Sequence, residues 1–116
     1  MTKRAVFNKV AKHLLTQNCK ALGENNNCQY QGQNGTKCAI GCLIPDELYD
    51  WSMEVGFYEV IDKLEDKGAI KLVKCFKDNF DMLLNLQKVH DFTDVSEWRT
   101  ELDKLAKKLK IIRPEY

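Results

Sequence analysis

Three of the five cysteines in this 116-residue chain fall between Cys28 and Asp46, in CQYQGQNGTKCAIGCLIPD, with three of the six glycines and one of the two prolines. Thiols offer metal binding or nucleophilic attack. Cys38 and Cys42 are four apart, which on a helix would put both sulfurs on one face. Cys28 could reach them across a hairpin, and His90 could close the set from a distant helix. Cys28, Cys38, Cys42 and His90 would make a Cys₃His shell, and thiolate plus imidazole suits zinc. No CxxC knuckle is present, and the spacing favours reading these thiols as buried small hydrophobes. No cofactor is therefore expected, with zinc as the alternative.

A cysteine nucleophile is the second chemistry. Cys38 or Cys42 near a helix start would have its thiolate favoured by the dipole, with His90 and Asp91 as base and orienter. Side chains one apart on a helix diverge, which argues against a His90–Asp91 hydrogen bond. His90 also reads as a helix-terminal histidine favoured by the C-terminal dipole. Cys38, His90 and Asp91 remain the catalytic alternative in a chain expected to lack enzymatic activity. The turn Gly32-Gln33-Asn34-Gly35 fits neither the P-loop nor the dinucleotide fingerprint, so a plain hairpin turn is expected there.

Protein binding is the third. Tyr49, Trp51, Met53, Phe57 and Tyr58 lie in or beside a stretch without a clean helical period. Clustered aromatics and methionine mark interfaces. The acidic residues Asp46, Glu47, Asp50, Glu54 and Glu59 could form the rim of such a surface or a solvated face. Asp46, Glu47, Tyr49, Trp51, Met53, Phe57 and Tyr58 are the partner-binding candidates. The alternative is that Trp51 and Phe57 cap the core.

These residues need elements to hold them. Phe7, Val10, Ala11 and Leu14 form an apolar stripe behind a Thr2 cap, predicting a first helix to about Asn18. Phe57, Val60, Ile61 and Leu64 form a second stripe, stopped by Gly68. Asp78 or Asn79 starts a helix carrying Phe80, Leu83, Leu84 and Gln87 and ending near His90. Asp94 and Glu97 resemble a capping box before a last helix with Trp98, Leu102, Leu105 and Leu109. Pro45 to Tyr49 reads as a short helical turn. Ala69 to Phe76 fits neither period.

The expected fold is a single α+β domain over residues 1–116. About four helices would pack with one β-hairpin, Cys28–Ile40, turning at Asn34-Gly35. Cys38, Ile40, Leu43 and Ile44 would pin the hairpin to the helices, with Tyr30 beside them. Its thiols would be tucked among aliphatic side chains rather than poised for reaction.

Composition narrows the partners. The hydrophobic fraction of 44% and charged fraction of 30% are globular. A net charge of +1 makes nucleic acid an unlikely partner, although Lys104, Lys107, Lys108, Lys110 and Arg113 cluster near the C-terminus. The start, MTKRAVFNKV, has no apolar core of a signal peptide, and no run approaches a membrane span. An odd number of cysteines without scaffold spacing points to a reducing cytoplasm, with the thiols free or metal-bound. The oligomeric state is not readable.

The stretch Cys28-x-Tyr30-x-Gly32, then Gly35-x-Lys37-Cys38-Ala39-x-Gly41-x-Leu43-Ile44-Pro45-Asp46, followed by Leu86-Gln87-x-x-His90-Asp91 and Trp98, resembles a signature of small uncharacterised proteins of tailed phages and prophages. The resemblance runs from about Lys3 to Leu109. It implies a phage origin and action in the host bacterial cytoplasm, and singles out Cys28, Cys38 and His90. The function expected from it is a non-enzymatic accessory protein that binds and modulates a host protein, such as an antiviral defence component. A cysteine/histidine enzyme or ligand-binding protein and a structural zinc module are the alternatives.

Overall fold

The computed structural model describes all 116 residues. It is all-helical: α1 (Lys3–Gln17), α2 (Phe57–Asp66), α3 (Ile70–Asp78), α4 (Phe80–Phe92) and α5 (Trp98–Lys108), with a long insert between α1 and α2 whose only helical pieces are short 3-10 turns at Gln33–Gly35, Gly41–Leu43 and Trp51–Met53. The expected α+β class is overturned, because no strand ladder forms. None of the helices is long and apolar enough to cross a membrane.

Local chemistry accounts for the helices. The Thr2 hydroxyl accepts from Ala5 N–H at 3.1 Å, and Asn18 ends α1 in the left-handed region. The apolar faces of α1, α2, α4 and α5 meet in one core that includes Phe7, Leu14, Leu64, Leu86 and Trp98. Phe57 joins it through Phe76 and Phe80, with ring centroids 5.2 and 4.9 Å away. The ambiguous Ala69–Phe76 stretch falls mostly within α3, which buries only Val73 and Phe76 while Ile70 stays exposed. Leu72 and Cys75 pack against the core only in part, so the apolar face is broad and, with Ile70 in solvent, shows no clean period. The expected capping box is absent: Asp94 makes no side-chain cap bond.

In the insert the turn forms and the strands do not. Asn34 and Gly35 take φ of 61° and 73°, and Thr36 N–H returns to Gln33 O at 3.2 Å. Beyond it only an isolated antiparallel bridge, Gln31 with Lys37, survives of the expected hairpin, and Leu22 pairs with Cys28 in a second. The reason lies in the competition for backbone donors. Tyr30 N–H and Gln31 N–H go to the Glu54 carboxylate at 2.8 and 3.2 Å. Lys37 N–H goes to Gln17 Oε1 at 2.8 Å, and Ile40 N–H to Gln87 Oε1 at 3.0 Å. Tyr30 and Ile40 N–H are donors that a longer hairpin would have paired, whereas Gln31 and Lys37 face outward at their bridge, between the Cys38 N–H to Tyr30 O and Gly32 N–H to Thr36 O bonds.

The insert is also drawn inward. Cys38, Ile40, Leu43 and Ile44 are buried as expected, and Pro45 O accepts from Leu48 and Tyr49 N–H in the expected turn. A Cβ on Gly41 would stand 2.0 Å from Tyr30 O, and one on Gly32 2.5 Å from Leu22 N. Backbone crosses backbone at both glycines with no room for a side chain.

Candidate functional site

The chemistry converges on one face of α4. Gln87, His90 and Asp91 are spaced i, i+3, i+4 and so share that face. His90 is wholly buried and lies against the Trp98 ring, centroids 5.6 Å apart. Its Nε2 accepts from Ala21 N–H at 3.0 Å. That bond requires a bare Nε2, so the ring proton sits on Nδ1 and is donated to Asp91 Oδ1 at 2.7 Å. The expectation that adjacent His and Asp would not bond is overturned, because Asp91 turns back along the helix toward the ring. Gln87 Nε2 donates to the same oxygen at 2.8 Å. The α4 face thus holds the insert at Ala21 and at Ile40.

Cys28 comes to this cluster from the insert. Its Sγ, a ring nitrogen of His90 and a carboxylate oxygen of Asp91 all lie within 4.8 Å of one another. The thiol is half-buried, and burial followed by the Asp91 charge pushes its pKa up. Of the thiols expected among aliphatic side chains, Cys28 is therefore the exception: it lines a polar cleft within reach of the imidazole. It is held protonated beside a carboxylate, the opposite of the electropositive setting that activates a nucleophile.

The donor types suit zinc, but their surroundings do not. A metal-bound histidine normally donates its other ring N–H to an acceptor. Here Ala21 N–H points at Nε2, so a metal on Nδ1 would leave two donors facing each other or require an imidazolate. The four-ligand set Cys28, Cys38, Cys42 and His90 is also not assembled. Cys38 is wholly buried with its Sγ accepting from Gly41 N–H at 3.3 Å, and Cys42 donates to Ala39 O at 3.1 Å. Burial pushes the Cys38 thiol far up and the Cys42 thiol up to about 12. In the catalytic alternative, Cys28 rather than Cys38 is the thiol beside Asp91.

The cleft has a volume of about 250 Å³ and is walled by Cys28, Tyr30, Glu54, Val55, Gln87 and Asp91 with two insert carboxamides, Asn27 and Gln29. Glu54 looks like a free acid and is not one: besides the two backbone N–H groups it accepts from the Tyr49 hydroxyl. Tyr30 closes the wall by donating its hydroxyl to Val55 O at 2.6 Å. In the sequence Glu54 stood out only as one of a run of acids, and Gln87 only through the Leu86-Gln87-x-x-His90-Asp91 stretch and its helical spacing from His90.

The partner-binding candidates divide. Trp51 and Tyr58 are 82% and 74% exposed, and Asp46 and Glu47 are on the surface. Asp46 pairs with Lys37 at 2.7 Å, which holds its carboxyl below the usual range. Met53 and Phe57 are buried in the core and cannot contribute to a contact surface. Tyr49 is half-buried, with its hydroxyl on Glu54. No protein-family model matches the chain, and no curated protein or solved structure is similar enough to count as a match.

Proposed function

We propose that this is a non-catalytic binding protein, a phage accessory factor that docks on a host protein and modulates it, with an antiviral defence component as the target class. One observation carries the reading away from catalysis. The thiol, imidazole and carboxylate that come together are spent on one another and on the backbone, leaving no free base at the imidazole and no activated thiol. Trp51 meanwhile stands in solvent, Tyr58 leans on Phe80 but stays mostly exposed, and exposed acids, Glu47 and Glu59, lie close to them in the chain. Aromatic anchors with a charged rim suit a partner offering apolar pockets and basic residues.

The test is capture of host proteins by the wild type and by Trp51→Ala, Tyr58→Ala and Glu47→Lys, followed by titration of the purified captured protein. Loss of binding by about tenfold or more in Trp51→Ala or Tyr58→Ala, with an unchanged melting temperature, supports the reading. Binding indifferent to all three substitutions counts against it.

A further inference from the structure

Asn25, Asn27, Gln29, Gln31 and Gln33 place a carboxamide at every second residue. All five line a groove of about 480 Å³, floored by Gly23 and Gly32. The groove runs into the cleft beside Asp91 through Asn27 and Gln29, which line both. The chain under them is not a strand: it turns at Glu24 and Asn25, takes a left-handed φ of 61° at Asn26 and bends at Tyr30, and this folded path brings the five side chains to one groove. The backbone below is tied down: Gly23 N–H to Asn27 O at 2.8 Å, Gln29 N–H to Ala21 O at 2.9 Å, and Gln33 N–H to Leu22 O at 2.8 Å. The backbone that carries the row is therefore fixed before any ligand arrives, while the exposed amides of Asn25, Asn27 and Gln33 are free to turn toward one.

The amides themselves are uncommitted. The side chains of Asn25, Asn27, Gln29 and Gln33 make no hydrogen bond within the chain, and Gln31 makes one, at 3.3 Å, to Asp46. Gln29 and Asn27 lie so close over Gly23 that a Cβ there would stand 2.3 Å from Gln29 Nε2 and 2.9 Å from Asn27 Oδ1. Glycine is what lets these two amides settle on the floor.

We propose that the groove and cleft together bind an uncharged, polyhydroxylated ligand, a short oligosaccharide. Each carboxamide offers two donors and an acceptor, which matches neighbouring hydroxyls that both give and take hydrogen bonds. No lysine or arginine lines either part, and the charged groups that do are carboxylates, Glu24 in the groove and Glu54 and Asp91 in the cleft, which disfavours phosphate or carboxylate ligands. No apolar side chain lines the groove, so a planar heterocycle would find nothing to stack on there. At the cleft end Asp91 Oδ1 is taken by His90 and Gln87, which leaves its other oxygen as an acceptor for sugar hydroxyls, and Tyr30 adds an aromatic wall. The site is separate from the surface bearing Trp51 and Tyr58 and stands or falls independently of it.

The experiment is a titration of the ¹⁵N-labelled full chain at millimolar ligand with maltotriose, cellotriose and chitotriose, and separately with guanosine and adenosine monophosphate. At least one trisaccharide is expected to shift the side-chain amide resonances of Asn27, Gln29 and Gln33. The double variant Gln29→Ala/Gln33→Ala is expected to weaken that binding about tenfold while its remaining spectrum is preserved. Unmoved amide resonances with all three trisaccharides overturn the proposal. So does a response confined to guanosine or the nucleotide, or a double variant that binds as the wild type does.

Discussion

His90 has both ring nitrogens committed inside the molecule, and one proton position is consistent with both bonds. The ring is therefore expected as the neutral Nδ1–H tautomer, readable from its ¹⁵N shifts. Zinc should leave the melting temperature unchanged, since a ligand that binds only the folded state raises it. A rise with zinc concentration would show that Ala21 can release Nε2. His90→Ala removes a buried ring and strands the Ala21 N–H and a bond to Asp91, so a loss of about 3 kcal/mol in denaturant unfolding is expected. Burial separates the thiols as well. Cys19 is exposed and should take iodoacetamide first at pH 8, whereas Cys38 and Cys42 should label only on unfolding. Fast labelling of Cys28 would show that Asp91 does not hold its proton. That Gln87 shares a helix face with His90 and Asp91 was legible in their spacing, but the His90–Asp91 bond was not, since adjacent side chains on a helix usually diverge. That Cys28 and not Cys38 joins them was not legible either, because it depends on how the insert is folded over α4.

At the scale of elements, legibility followed periodicity. Phe57, Val60, Ile61 and Leu64 announce α2 because all four enter the core. The failed hairpin shows the limit. An Asn-Gly turn is encoded by two adjacent residues, but whether its flanks pair depends on where Glu54 and Gln87 end up. No local pattern carries that information. The same close crossing yields a test. Gly41→Ala sets a Cβ against the Tyr30 carbonyl oxygen, and neither backbone can yield without breaking other bonds. A loss of about 3 kcal/mol or more, or failure to fold, is expected. Gly35→Ala meets open space and pays only for its positive φ, so about 1 kcal/mol is expected. Equal costs for the two, measured by denaturant unfolding, would mean that the insert is looser than its crossings imply.

The whole molecule concentrates its unionised acids where the insert enters the core, and this sets its response to pH. Cys38, Cys42 and Tyr30 all have pKa values raised first of all by burial. An acid whose folded pKa lies above its unfolded value binds its proton more tightly in the fold. The fold then loses ground once the unfolded chain begins to ionise. For Cys42 that window runs from about 9 to about 12, and each such group adds at most about 1.4 kcal/mol of loss per pH unit within it. The acid side has the opposite sign. The Ser52 hydroxyl, followed by Lys67, holds the Asp50 carboxyl down to about 2, so its contribution is present at neutral pH and fades as pH falls from about 4 toward 2. Unfolding followed from pH 3 to 11 should therefore give a plateau through neutrality and a steeper fall above about 9 than below 4, because Cys38 is buried and Cys42 and Tyr30 are partly so, whereas the acid group is exposed to screening. Cys42→Ala should flatten the alkaline limb by one proton's slope and leave the acid limb alone. An alkaline limb unchanged in that variant would mean that water reaches the thiol, and with it the inner face of the insert.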